Sequence, residues 1–461
     1  MSHRFSRAVL AGGKLLPLAA AALMMSSCSR DELLGVETPD QITPEAAANA
    51  AGANAQRVAA IGNFAAFYAG DYGGSFHGLA ITAGLLADEI ESARGGTEHL
   101  DSRAQNESLT PQTTTWFFAG QAQTQLIRAI RVVNQYVPES PTRTNQLAEL
   151  FALRGFTFVL LGENYCSAVP IGNANDDDPQ TEVLDNTQLF QRAIVMFDSA
   201  LTVLGTQTNA GLRNLVAVGR GRALLDLNQP DQAAAAVASV PTTFSHNISY
   251  SATTVVNSIY NWMNATLNYA PADREGGNGI DFVSANDPRV TVRRDANTGA
   301  PVRQRGQDGI EHVVQTVHTV GTSPVPLATG IEARLIEAEA LVRVNDPTYI
   351  SKLNDARASR PTLGLTALAP AVGQPAQVDQ VMRERAFWFW GTAHRIGDLR
   401  RLMTQYGRAE NTVWPTGPYF KGGNFGNHVN LMPAQAEQNN ELYKDPRTVG
   451  CDPTRAAFTK A

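Results

Sequence analysis

The chain has 461 residues, 43% of them hydrophobic, enough to bury a large core as one big domain or two. Its formal net charge is −6 and no basic block stands out, which argues against nucleic acid as a partner. With 38 Gly, 24 Pro and only 7% aromatics, it reads as helices joined by substantial irregular segments.

Arg4, Arg7 and Lys14 precede a short apolar run from Leu15 to Met25, which ends in Ser26-Ser27-Cys28. A positive segment, an apolar stretch too short to span a membrane and small residues at its end make 1–27 a signal peptide. A cysteine directly after the small residues looks like a lipobox, so Cys28 is the expected lipid attachment point. The alternative is an ordinary signal peptide cut elsewhere, with Cys28 incidental. A lipidated Cys28 would tether an otherwise soluble protein to a membrane, each buried methylene contributing about 0.8 kcal/mol.

Thr43 is a plausible N-cap with Pro44 at the first helical position, and Glu45–Phe67 is Ala-rich, with Val58, Ile61 and Phe67 as core candidates. Asp71-Tyr72-Gly73-Gly74 breaks it. Leu79–Ile90 is apolar enough for a second helix, followed by a polar loop that Thr110-Pro111 closes before Trp116-Phe117-Phe118. Leu126, Ile127, Ile130 and Val133 form a helical face stopped by Pro138. Asn145–Leu161, Asn186–Leu204, Leu212–Leu227 and Asp231–Val240 are further helices. The stretch from Arg222 to Ala233 looks like a tetratricopeptide helix–turn–helix, in which small residues allow close packing.

Residues 241–327 change character, with Thr, Asn, Gly and Val in short alternating runs that predict strands and loops. Thr329–Val344 returns to helix, and Leu353–Arg357 belongs to another. The chain is organised around Val378–Leu402, read as one helix on the edge of the core. Val378, Val381, Met382 and Phe389 share a face, while Glu384, Arg385, Arg395, Asp398, Arg400 and Arg401 are too many charges for a wholly buried helix and would be solvated or paired.

That stretch also carries a resemblance. Glu384-Arg385, then Arg395, Asp398-Leu399 and Arg401, resembles the "ER…EL…EG.R..DL.R" helix of the SusD/RagB family, surface nutrient-binding lipoproteins of outer-membrane uptake systems. Trp388, Thr392 and Ala393 depart from it, standing where the family usually has Glu, Glu and Gly. Other motifs follow in the family's order: the Cys28-Ser-Arg-Asp-Glu-Leu tether, Thr38–Glu45, Leu153-Arg154-Gly155 with Tyr165 to Val169-Pro170, Asp287-Pro288-Arg289, Ile331–Leu341, Leu353-Asn354 with Arg357, and Pro433, Glu437 and Asn440. The resemblance implies a mainly α fold, with tetratricopeptide-like helix pairs in an N-terminal region (28–240) packed against an irregular, loop-rich C-terminal region with short strands (241–461). It implies an outer-membrane, lipid-anchored protein at the cell surface, for which Ser29–Glu32 is a suggestive export signal. Such a protein captures a glycan or other nutrient and delivers it to a SusC-like TonB-dependent transporter. The rival reading is a tetratricopeptide interaction scaffold of the envelope.

Ligand capture in sugar-binding members rests on aromatic rings stacked on pyranose faces. Tyr72, Trp116, Tyr260 and Trp262 are the candidates, in loop-like settings, with a core role as the plainer alternative for each. With Cys28 lipidated, Cys166 and Cys451 remain as an expected disulfide in an oxidising compartment, the alternative being two buried thiols. No HExxH, CxxC, Walker A or GxSxG motif occurs, and the histidines are scattered, so no catalytic residue, metal or cofactor is expected. A glycosidase carboxylate pair is not a local pattern, and nothing in the sequence supports one.

Overall fold

The computed structural model describes residues 48–71, 77–105, 110–166, 169–175, 178 and 180–439. Cys28, Tyr72 and Cys451, and with them the lipid anchor, the Cys166–Cys451 pairing and the Thr43 cap, lie outside these residues. Everything below concerns the unit Asn49–Ala461.

Helix α1 (Ala50–Ala69) starts where the Asn49 side chain accepts the N–H groups of Ala51 and Gly52, both at 3.0 Å. Its buried face is Phe64, Phe67 and Tyr68, with Ile61 at the margin. Val58, predicted as core, is 57% exposed because the alanines alongside already satisfy the buried stripe. Helix α2 (Leu79–Leu86) is shorter than predicted. Ile90, the expected end of that helix, instead enters a short strand and packs on Gly84, where a Cβ would lie 2.5 Å from Ile90 Cδ1.

Two long helices follow. Helix α3 spans Thr110–Tyr136, so Thr110-Pro111 opens a helix where it was expected to close a loop, and Trp116 is helical rather than in a loop. Helix α4 (Pro141–Asn164) starts at Ser140, whose hydroxyl accepts the Arg143 N–H at 3.2 Å. Helix α5 (Asn186–Leu204) carries a full capping box, Asp185 and Gln188 each accepting the other's backbone N–H. Helices α6 (Ala210–Asp226) and α7 (Pro230–Val237) complete the tetratricopeptide-like pairing. The Phe197 ring of α5 sits against Gly155 of α4 and Gly219 of α6. A Cβ at Gly155 would come within 2.7 Å of it, which is why small residues recur along these helices.

The strands form five two-stranded antiparallel ribbons among the described residues. They are β1 (Gly70–Asp71) with β6 (Val256–Asn257), β2 (Ile90–Ser92) with β7 (Tyr269–Pro271), and β3 (Val169–Gly172) with β4 (Thr181–Leu184). The others are β5 (Ser245–Ile248) with β10 (Val325–Thr329), and β8 (Arg303–Arg305) with β9 (Glu311–Val313). Helices α8 (Gly330–Arg343), α9 (Tyr349–Ala358), α10 (Gln374–Trp388) and α11 (Arg395–Thr404) follow. The fold is mainly α, with short ribbons on both sides of residue 240.

The organising stretch differs from its reading in two ways. It is two helices, broken at Phe389–His394, where Gly391 and Ala393 adopt φ of 69° and 59°. Neighbours hold the break: Asn164 Nδ2 donates to the Ala393 carbonyl at 3.1 Å and Trp390 Nε1 to the Glu89 carbonyl at 3.0 Å. Its charges are also buried rather than at an edge, and of the two outcomes expected, solvated or paired, they are paired. Glu384, Arg385, Arg395, Asp398 and Arg401 are each at most 5% exposed.

Burial is possible because each charge meets a partner from another segment of the fold. Arg385 donates to both Asp398 oxygens at 2.9 and 2.8 Å, and Arg401 to Glu339 at 3.0 Å and to Asp226 at 2.8 Å. Arg395 takes Asp88 at 2.6 and 2.8 Å, and Arg222 pairs with Glu163. Helices α4, α6, α8, α10 and α11 are thus joined through one ionic lattice. Burial alone would raise the Asp398 carboxyl, but Arg385 and Arg401 hold it well below the carboxylate range.

Candidate functional site

The ribbons β1–β6 and β2–β7 bring a set of aromatic and amide side chains onto one loop face. After β6, Asn257 caps a helical turn, accepting the N–H groups of Ile259 and Tyr260, and the chain passes into a π-helical turn at Asn261–Ala265. Such turns cost regular hydrogen bonding and recur at functional sites. Of the aromatics picked from the sequence, Tyr260 ends the helical turn and Trp262 lies in the π-helical one. Tyr260 is half-buried; Trp262 is 7% exposed, stacked on His77 with ring centroids 4.4 Å apart.

Trp262 also has the Arg94 guanidinium 5.8 Å from its ring centroid, and His77 Nε2 pairs with the Tyr269 hydroxyl at 2.7 Å. Burial, then the Arg94 charge, push the His77 imidazole down to about 3, so it stays neutral at physiological pH. In this arrangement Trp262 braces the face from beneath, while Tyr260 reaches solvent. Amides line the flank: Asn264 donates to the Gln315 carbonyl at 3.0 Å, Gln315 Nε2 to the His318 carbonyl at 2.8 Å, and Asn257 to the Ser323 carbonyl at 2.7 Å.

The loop after β2 continues this face toward the C-terminal segment. Lys421 donates to the Arg94 carbonyl at 3.3 Å and lies 2.8 Å from Asp308. Asp308 in turn contacts His312, whose other nitrogen meets Glu91 at 2.7 Å. Burial lowers the His312 pKa, but Glu91 and Asp308 outweigh it and the net shift is upward. Above this brace, Tyr419, Phe420 and Phe425 pack edge to face, and Phe420 is 45% exposed. The Tyr419 hydroxyl donates to Asp101 at 2.7 Å and fixes the loop. Sequence reading did not select Phe420; its signal is an aromatic pair flanked by Gly417, Gly422 and Gly423, all at positive φ.

Trp116 stands apart from this face. It is 9% exposed, its Nε1 donates to Glu437 at 2.8 Å, and its ring centroid is 5.0 Å from that of Tyr165. It lines a hollow of about 90 Å³ with Gln123 and Ile171. The structure therefore brings Tyr260 and Trp262 together and puts Trp116 elsewhere. Cys166, at the end of α4, is buried, its N–H donating to the Leu431 carbonyl at 3.2 Å.

Beneath the loops lies a pair of buried acids. Burial pushes Asp101 up to about 7, against the Ser92 N–H and the Tyr419 hydroxyl that favour its charge. Burial and then Asp101 push Glu275 well above the usual range. Among the described residues, no group of three or more His, Cys, Asp and Glu side chains could hold a metal ion.

The helical body thus carries Tyr260 and Phe420 on a braced loop face. No protein-family model matches the sequence, and neither does any curated protein sequence. Solved structures do match. A SusD-like carbohydrate-binding protein from Bacteroides fragilis superposes with TM-score 0.62 at 14% identity, over 85% of this chain and 98% of that one. Surface glycan-binding protein A from Bacteroides thetaiotaomicron gives 0.61 at 14%, over 85% and 97%. A laminarin-binding SusD-like protein gives 0.50 at 15%, over 79% and 96%. The chain has the SusD/RagB fold.

Proposed function

We propose that this protein is a nutrient-binding lipoprotein of the outer membrane, anchored through Cys28, which captures a glycan and passes it to a SusC-like TonB-dependent transporter. The observation that carries the reading is the fold itself, shared over nearly the whole length of proteins described as carbohydrate-binding. The loop face supports it. Tyr260 and Phe420 offer apolar ring surface to pyranose faces. No reaction is assigned to the face, since binding needs only these contacts. A disulfide between Cys166 and Cys451 belongs to the same exported state, and peptide mapping without reductant would detect it.

Affinity electrophoresis through gels containing soluble polysaccharides tests the binding role. Retardation by at least one polysaccharide is expected, reduced about tenfold or more in affinity by Tyr260→Ala or Phe420→Ala, in line with the energy of a lost aromatic contact. Free migration through every polysaccharide, or retardation indifferent to both substitutions, would contradict this assignment of the face.

A further inference from the structure

A second concave site shares no residue with the loop face. It is a hollow of about 170 Å³ between the β5–β10 ribbon and helices α8 and α10. Ser245 lies exposed at its edge, and Trp388, Arg360, Glu332 and His394 are among the residues that line it. Trp388 and Thr392, two of the three positions where the organising stretch departs from the family pattern, both face this space.

We propose that this hollow binds a single acidic pyranose, a uronic acid, as a free sugar or a chain end. Its size sets the first limit: a cavity of about 150 Å³ takes one benzene-sized ring, so this hollow of about 170 Å³ takes no more than one six-membered ring, with the ring's substituents reaching out through its mouth. Its wall sets the second. Trp388 is half-buried, with the Arg289 guanidinium 5.0 Å from its ring centroid, and gives the hollow a flat apolar surface for a sugar ring.

Charge sets the third. The Arg360 guanidinium makes no side-chain hydrogen bond or ion pair among the described residues, although it is half-buried. The positive end of the 14-residue helix α8 opens beside it. The one carboxylate in the lining, Glu332, is already engaged. His394 Nε2 lies 3.2 Å from it and Arg222 3.9 Å, and these two neighbours draw its pKa down against burial, while burial and then the Arg222 charge lower the His394 imidazole in turn. An incoming carboxylate would therefore meet an uncommitted guanidinium, whose planar fork matches its two oxygens.

Titration calorimetry of the full-length protein with D-glucuronate and with D-glucose tests this, because the two differ only at the sixth carbon. Glucuronate is expected to bind one per chain, about tenfold or more tighter than glucose. Arg360→Gln should remove that preference, Arg360→Lys should keep part of it, and Phe420→Ala should leave it intact. No heat with glucuronate, equal affinity for the two sugars, or a preference that survives Arg360→Gln would overturn the proposal. Loss of the preference in Phe420→Ala would place the binding on the loop face instead. Should Arg360→Gln fail to fold, the comparison of the two sugars on the unsubstituted protein decides alone.

Discussion

At the scale of single residues, the chain stakes its core on buried charges. Asp398 receives Arg385 and Arg401 at 2.7–2.9 Å and is 1% exposed. Asp398→Asn would leave Arg385 buried without its hydrogen-bonded carboxylate and take one of three from Arg401, and a loss of about 3–5 kcal/mol is expected in urea unfolding. A change below about 1 kcal/mol would mean that the lattice is not a unit. Asp101 behaves in the opposite sense. Its folded-state pKa is raised to about 7, above the ordinary 3.8, so the folded chain holds this proton more tightly than the unfolded one. Its contribution is full below about pH 4 and is lost progressively as the pH climbs to and through about 7. Thermal melting from pH 5 to 9 should therefore show the native protein losing more stability with rising pH than Asp101→Asn does. Parallel profiles would contradict the shift.

At the scale of elements, local signals were readable where they are chemical rather than periodic. Helix α5 coincides with its expected range, Asn186–Leu204, because Asp185 and Gln188 close a capping box and Gly205 ends the helix at a φ of 51°. Asp185→Ala is expected to cost about 1 kcal/mol with no change in the denaturant slope, as measured by equilibrium unfolding. The break between α10 and α11 was not legible. Apolar spacing runs through it, and the trace it leaves is that Ala393, at a left-handed φ, stands where the resembled pattern has Gly; contacts from Asn164 and Glu89, more than two hundred residues away, fix that shape. Burial of the charges escaped for the same reason. A run such as Arg395–Arg401 reads as solvated unless Asp88, Asp226 and Glu339 are known to converge on it.

At the scale of the whole molecule, motif order along the chain was the informative signal. The pairs Glu384-Arg385 and Asp398-Leu399 each carry a member of the ionic lattice, Arg385 and Asp398. The loop face was only half visible. Tyr260 and Trp262 are adjacent in sequence as in space, whereas Phe420 joins them through Arg94 and Lys421, contacts that no local pattern announces. Trp116, equally aromatic, instead packs on Tyr165 and Glu437, because residue type alone does not tell a contact from a brace.

The central claim concerns what the whole molecule does in a membrane, and one measurement bears on it most directly. The tagged, full-length protein is purified from detergent-solubilised outer membranes and its companions are identified by mass spectrometry. A large TonB-dependent β-barrel in near-equal amount is the expected result. Recovery with a soluble envelope protein and no barrel would contradict the uptake role and favour an interaction scaffold.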